Sequence, residues 1–284
     1  MTVLQPSRFA AICAVLLLGG CSLFGSSDDD SDAPPDPSKT SVEELYNHGV
    51  DAMVTQRYPL AVEQFDAVEQ NYPYSPWAAN AQLMEGYSQY LQQKYPDAIA
   101  TLDRFIQLHP SHKDIAYAYY LRALSFYEQI EDIKRDQRGT EEAMQALQEV
   151  VTRFPESAYA RDAKLKIYLC RDHLAGKEVA IGLFYERQHL YAAALTRYQH
   201  VVDDYQTTNH AAEALERLVE VYLALGLPEQ AVKAAAVLGY NYPGSEWYSE
   251  AYRHLANNDL VNLKPGDLPP PPRAGWFGGL FDWF

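Results

Sequence analysis

Positive charge is in short supply in this chain: Lys plus Arg number 23 against 38 Asp plus Glu, for a formal net charge of -15 over 284 residues. Such a surface repels phosphate backbones, which argues against nucleic acid as a partner. Long apolar runs are missing too. The longest, Phe9 to Gly20, falls short of the roughly 20 residues that a membrane-spanning helix needs, so a polytopic helical membrane protein is excluded. Cysteine is rare, with three in all. There is no Gly-Lys-Ser/Thr phosphate loop, no His-Glu-x-x-His, no Gly-x-Ser-x-Gly and no cysteine pair with ligand spacing. Neither catalysis, a cofactor nor a metal is therefore expected. His109 and His112 are close in sequence but flank Pro110 and lack cysteine partners. What is present, 48% hydrophobic and 21% charged residues, is ordinary globular composition.

The front of the chain reads as an export signal, with Arg8 in a short basic region, an apolar region from Phe9 to Leu18, and small residues at Gly19 and Gly20. Its end, Leu18-Gly19-Gly20-Cys21, resembles the lipobox of bacterial lipoproteins. The resemblance implies that residues 1–20 are removed and that Cys21 becomes a mature N-terminus carrying N-acyl and S-diacylglycerol lipid. Ser22 stands where an Asp would imply retention in the inner membrane, so the same resemblance implies the periplasmic face of the outer membrane. Residues 21–40, with the run Asp28-Asp29-Asp30-Ser31-Asp32, have little to bury and read as a disordered tether. Only Cys170 would then remain as a thiol. It lies in the apolar stretch Leu165-Lys166-Ile167-Tyr168-Leu169-Cys170 and reads as a small core hydrophobe.

A repeat organises the rest. An alanine is followed at four and seven residues by apolar side chains and at twelve by proline: Ala61, Phe65, Val68, Pro73; Ala98, Leu102, Phe105, Pro110; Ala143, Leu147, Val150, Pro155; and Ala231, Ala235, Leu238, Pro243. A further copy, Ala194, Tyr198, Val201, has Gln206 in place of proline, and a ring (Tyr72, His109, Phe154, Tyr205 or Tyr242) precedes this last position in all of them. Spacings of four and seven define one face of an α-helix, and proline, lacking an amide donor, stops it. Twelve residues before the alanine stands Gly49, Gly86 or Gly182, a small residue where a preceding helix would cross. Ser75, Ser157 and Ser245 are positioned to cap the next helix, with Pro76 at a first helical position. The fold expected is all-α: about five helix hairpins over residues 41–258 with a final capping helix bearing Tyr248, Ala251, Tyr252 and Leu255 on one face. Two irregularities stand out. Residues 128–139 are inserted in the third hairpin, and Ala158 to Gln188 reads as one long helix, apolar at Leu165, Leu169, Leu174 and Ile181, that bridges two halves.

Glycine in the first helix, alanine and a ring in the second and a terminal proline resemble the tetratricopeptide repeat, which implies a right-handed solenoid. With the lipobox and tether, and with Tyr120-Leu121-Arg122-Ala123-Leu124, Arg135-Asp136-Gln137, Arg171-Asp172-His173-Leu174-Ala175 and Asn241-Tyr242-Pro243-Gly244-Ser245, the chain resembles the BamD family, the lipoprotein subunits of the outer-membrane β-barrel assembly machine. The resemblance implies a binding role. The N-terminal repeats would receive the C-terminal segment of unfolded outer-membrane barrel proteins, and the C-terminal repeats would dock the BamA barrel subunit alongside other subunits of the machine. Tyr87, Tyr90, Tyr117 and Tyr120, near Tyr74, Tyr119 and Tyr127, offer flat apolar faces with polar tips for an aromatic-rich segment, and Arg104 and Arg122 suit a terminal carboxylate. Arg135 and Asp136 of the insertion and Arg197 of the fourth repeat are the candidates for subunit docking. The alternative is another periplasmic repeat adaptor, serving envelope or peptidoglycan processes. Residues 259–284 form a proline-rich linker and an aromatic tail, Gly275-Trp276-Phe277 to Phe281-Asp282-Trp283-Phe284, suited to a partner groove or a membrane interface.

Overall fold

Each copy of the alanine pattern is a helix that buries its alanine and the apolar residues four and seven places on. In the computed structural model, which describes residues 39–260, Ala61, Phe65, Val68, Ala98, Leu102, Phe105, Ala143, Leu147, Val150, Ala194, Tyr198, Val201, Ala231, Ala235 and Leu238 are all fully buried. The expected signal segment, Cys21, most of the tether and the aromatic tail lie outside the described residues.

Eleven helices and no strand occur among the described residues. They pair as α1 (Val42–Val54) with α2 (Tyr58–Asn71), α3 (Ala78–Leu91) with α4 (Tyr95–Leu108), α5 (Ile115–Tyr127) with α6 (Arg138–Arg153), α7 (Ala158–Arg187) with α8 (Tyr191–Asp204), and α9 (Ala211–Ala224) with α10 (Pro228–Asn241). The final helix α11 (Glu246–Asn257) buries Tyr248, Ala251 and Leu255 against α9 and α10, as expected of a cap. Each helix packs on its chain neighbours, and the first helices also touch one another, α3 with α5, α5 with α7, α7 with α9 and α9 with α11. The hairpins are therefore stacked in register, with their first helices forming one continuous layer.

Local chemistry sets where each helix starts and stops. The turns inside four hairpins share one geometry, with Gln56, Gln93, His189 or Gly226 at a left-handed φ of 58°, 61°, 59° or 74°. Only the last uses glycine, the residue that enters this region without strain. The hairpins are joined by a second recurrent turn, in which the carbonyl of the terminal ring residue accepts from the amide three residues on: Tyr72 from Ser75, His109 from His112, Phe154 from Ser157, Tyr205 from Thr208 and Tyr242 from Ser245. The fourth copy makes it without proline. There the Thr208 hydroxyl donates to the Tyr205 carbonyl at 2.7 Å, so the turn, and not the missing amide alone, ends the helix. Ser157 and Ser245 cap α7 and α11 as expected. Ser75 does not cap α3: its hydroxyl accepts from Trp77, the chain makes an extra turn, and α3 begins at Ala78. Pro76 therefore lies in that turn. The prolines at helix starts are instead Pro59, Pro96 and Pro228.

The glycines mark where helices approach most closely, and what fills the gap is a large side chain. A Cβ on Gly49 would stand 2.6 Å from the Phe65 ring, one on Gly86 2.9 Å from Leu102, and one on Gly182 would overlap the Tyr198 ring outright. The long helix α7 forms as expected, burying Leu174 and half-burying Ile181, but Leu165 and Leu169 are exposed at 58% and 45%. The face that α7 turns to its neighbours there runs instead through Ala163, Ile167 and Cys170. Burial pushes the Cys170 thiol up to about 11, leaving it protonated and unreactive at neutral pH.

Gly182→Ala is accordingly expected to lower the melting temperature. Tyr198 cannot slide aside, because it is fully buried and its hydroxyl donates to Glu186 at 2.7 Å. Overpacking of this kind costs about 1–3 kcal/mol, more than the roughly 1 kcal/mol of helix propensity that alanine adds. Gly244→Ala, with nothing within 4 Å, is the control and should melt with the parent in a circular-dichroism scan.

Candidate functional site

The layer of first helices carries a row of tyrosines. Tyr87 on α3 meets Tyr117 on α5 edge-on at 6.3 Å, Tyr117 meets Tyr159 on α7 at 5.6 Å, and Tyr159 stacks on Tyr120 at 5.2 Å and 27°. Tyr90 sits beside Tyr95 at 5.7 Å and donates to Glu128 at 3.4 Å. All six rings are half-buried, so each keeps part of its surface accessible. Burial and then the Glu128 carboxylate push Tyr90 up to about 12, and burial with Asp162 raises Tyr120, whose hydroxyl donates to that carboxylate. The row is thus apolar in its faces and edged by acid.

The four tyrosines proposed from the sequence fall together in this row, and Tyr159 joins them, while Tyr95, at the start of the second helix α4, lies beside Tyr90. Tyr159 lies two residues after the capping Ser157, on the first helix of the next hairpin, which is the signal that places it in the same layer. The remaining tyrosines lie elsewhere. Tyr74 is fully exposed in a turn, Tyr127 lies under the Lys166 ammonium at 5.1 Å, and Tyr119 is buried against Phe154 with Arg122 and Arg153 over its ring.

Neither arginine proposed for a terminal carboxylate belongs to the row. Arg122 is bound by Asp103 at 2.8 Å and Glu149 at 2.6 Å, facing the second helices α4 and α6. It lines a separate groove of about 990 Å³ with Asp103, Glu149 and Arg171. Arg104 reaches Glu69 at 3.2 Å and Glu85 at 3.7 Å. With two carboxylates each, both guanidinium charges are already answered within the chain.

The insertion is anchored to α7. His173 Nε2 donates to the Glu131 carbonyl at 2.9 Å and Lys177 to the Arg135 carbonyl at 3.2 Å. Arg171 donates to the Asp204 carbonyl, and Asp172 accepts the Asn209 amide at 2.8 Å. The charged segment 171–178 therefore ties the insertion on one side and the turn after α8 on the other. It fixes how the third and fourth hairpins meet. The side chains of Arg135 and Asp136 stay exposed, Arg135 within 3.2 Å of Glu131 and Asp136 accepting the Arg138 amide at 3.2 Å. Arg197 pairs with Glu178 at 3.1 Å and remains 40% exposed.

Five stacked helix hairpins define a repeat protein of the helix-hairpin class, whose extended faces serve binding. The chain belongs to the YfiO family of outer membrane lipoproteins, whose profile matches residues 38–238. It is 48% identical over 219 residues to the outer membrane protein assembly factor BamD of Caulobacter vibrioides, covering 77% of this chain and 72% of that one. It is 46% identical over 242 residues to the BamD of Rickettsia prowazekii, covering 85% and 93%. A solved thermophilic TPR protein of Thermus thermophilus overlaps 76% of this chain and 100% of its own at 17% identity and a TM-score of 0.34.

Glu85, which links the row's helix to Arg104, gives a pH-dependent prediction. Burial, reinforced by Asp66, pushes its pKa up to about 7, although Arg104 and the Gln89 amide, which donates to it at 2.8 Å, oppose the rise. The folded state then holds a proton that the unfolded chain releases above the ordinary value of 4.5. This contribution is complete below 4.5 and is lost as pH rises through 7. Glu85→Gln is expected to stabilise the protein above pH 7 by on the order of 1–3 kcal/mol and to leave it unchanged near pH 4. Chemical denaturation at the two pH values checks this, and equal effects at both would contradict it.

Proposed function

We propose that this chain is a non-catalytic, lipid-anchored adaptor in the assembly of outer-membrane β-barrel proteins, working at the periplasmic face of the outer membrane. The observation that carries this reading is the tyrosine row across α3, α5 and α7, set in a chain of the YfiO family. An aromatic-rich segment of an unfolded barrel protein lies across Tyr87, Tyr117, Tyr159 and Tyr120. Ring against ring is favourable there, and an edge of carboxylates rejects acidic segments. Because Arg104 and Arg122 are paired within the chain, recognition rests on aromatic faces and not on capture of a terminal carboxylate. Family membership favours this over an adaptor in peptidoglycan processes.

Docking to the BamA barrel subunit belongs, on this reading, to the insertion and the fourth hairpin. Arg135, Asp136 and Arg197 are exposed there on elements that the 171–178 segment holds rigid. The anchor is the lipid on Cys21, and among the described residues no helix is long and apolar enough to cross a membrane.

One set of variants tests the three parts. Tyr117→Ala with Tyr120→Ala is expected to weaken binding of a peptide ending in aromatic residues at least about tenfold, about 1.4 kcal/mol, with the helical circular-dichroism signal retained. Arg197→Glu should reduce BamA co-purification while leaving peptide affinity unchanged, and Glu178→Gln controls for the broken internal pair. Cys21→Ala should move the protein out of the membrane fraction with both binding activities intact. Parental peptide affinity in the tyrosine variant would contradict the binding row. Parental BamA recovery with Arg197→Glu would remove that residue from the docking surface, and full membrane retention of Cys21→Ala would contradict lipid anchoring.

A further inference from the structure

The fifth hairpin carries a buried carboxylate without a hydrogen bond. Glu216 on α9 is fully buried, and among the described residues neither of its oxygens has a hydrogen-bond partner. Its nearest cationic atom on α9 is Arg217 Nε at 3.5 Å. A buried carboxylate with no hydrogen bond is costly, and burial followed by the Glu220 charge pushes its pKa up to about 8.

What faces it is a donor set. Glu220 lies one turn further along α9, and His254 projects from α11. His254 Nε2 is 3.0 Å from Glu220 Oε1 and 3.5 Å from Glu216 Oε1. One donor atom from each residue lies within 4.8 Å of the other two. A tetrahedral ion with bonds of ~2.1 Å holds its donors ~3.4 Å apart, so these separations suit one face of such a site after small shifts. An imidazole with two carboxylates favours zinc and its neighbours over calcium, which prefers oxygen alone.

The surroundings support the same arrangement. Arg217 donates to Glu220 Oε2, leaving Oε1 turned toward His254, and its guanidinium rests over Trp247 at 5.8 Å. A ligand oriented by an outer hydrogen bond is the usual construction of a metal site. Glu186, accepting from Tyr198 at 2.7 Å, adds a further carboxylate close to Glu220. Three carboxylates thus share one guanidinium, and a divalent ion would balance them.

We propose that Glu216, Glu220 and His254 bind a transition-metal ion, zinc by their chemistry, that clamps α11 to α9. The sequence hides such a site. The two glutamates look like any solvated pair one turn apart, and the histidine arrives only through the packing of α11. The inference is independent of the tyrosine row.

The test uses the full chain in detergent, stripped with a chelator and titrated with zinc chloride. The expected result is one saturable zinc per chain, with amide exchange in α11 slowed at least about tenfold and that in α2 unchanged. His254→Ala, at a side chain that is 39% exposed, and Glu220→Gln should each weaken zinc binding by at least about tenfold. The double variant His109→Ala, His112→Ala should bind zinc as the parent does. No saturable zinc, parental zinc affinity in both His254→Ala and Glu220→Gln, or zinc binding without slowed exchange in α11 would each overturn the proposal.

Discussion

The stack depends on one packing contact, in which a large side chain on the second helix of a hairpin fills the space left by a missing Cβ on the first. Phe65 against Gly49, Leu102 against Gly86 and Tyr198 against Gly182 hold three hairpins at close approach. Gly239 and Tyr248 make the same kind of contact between α10 and α11. A close crossing leaves little freedom in angle or register, because a core packed to crystal density has no slack to shift into. The recurrent ring also closes the outer hairpins: Tyr72 donates to the Thr40 carbonyl and Tyr242 to the Gln206 carbonyl, each reaching back to the segment just before its own hairpin. The continuous layer of first helices, and the tyrosine row on it, follow from these contacts.

Charge is distributed as unevenly as packing. The arginines that could have offered a binding face a positive charge are each held by two carboxylates, Arg104 by Glu69 and Glu85, Arg122 by Asp103 and Glu149. Their work is to tie helices of adjacent hairpins together, and what remains on the row is ring surface with hydroxyl tips. Such a face attracts by dispersion and ring geometry, which tolerate sequence variation better than an ion pair does. Two carboxylates, Glu85 and Glu216, are buried at a cost to the fold. Both lie on first helices, and both draw their partners from neighbouring elements.

Most of the architecture was legible because it is written in local periodicity. The alanine pattern found every second helix, the reading of Ala158 to Gln188 as one long helix matches the thirty residues of α7, and Ser157 and Ser245 announced their caps. Failures came where a local rule met tertiary competition. Ser75 fits a capping pattern as well as Ser157 does, but Trp77, whose ring packs on Tyr46 at 4.8 Å, draws the chain through an extra turn before α3. Leu165 and Leu169 lie on an apolar stripe of α7, yet among the described residues that side of the helix stays exposed. The site divides similarly. Tyrosines on one helix could be grouped from spacing, whereas Glu69 and Glu85 reach Arg104, Asp103 and Glu149 reach Arg122, and His254 reaches Glu216, from other helices. No single stretch of sequence contains them.

On the proposed function, the layer of first helices, and not the groove on the side of the second helices, receives the unfolded client. Site-specific photo-crosslinking in intact cells reads this directly, with the reactive residue placed in turn at Tyr87, Tyr117 and Tyr159 and, for the groove, at Glu142, Gln148 and Thr152. The account predicts crosslinks to nascent outer-membrane barrel proteins from the first three positions and none above background from the last three. Crosslinks from the groove positions with silence along the tyrosine row would contradict it.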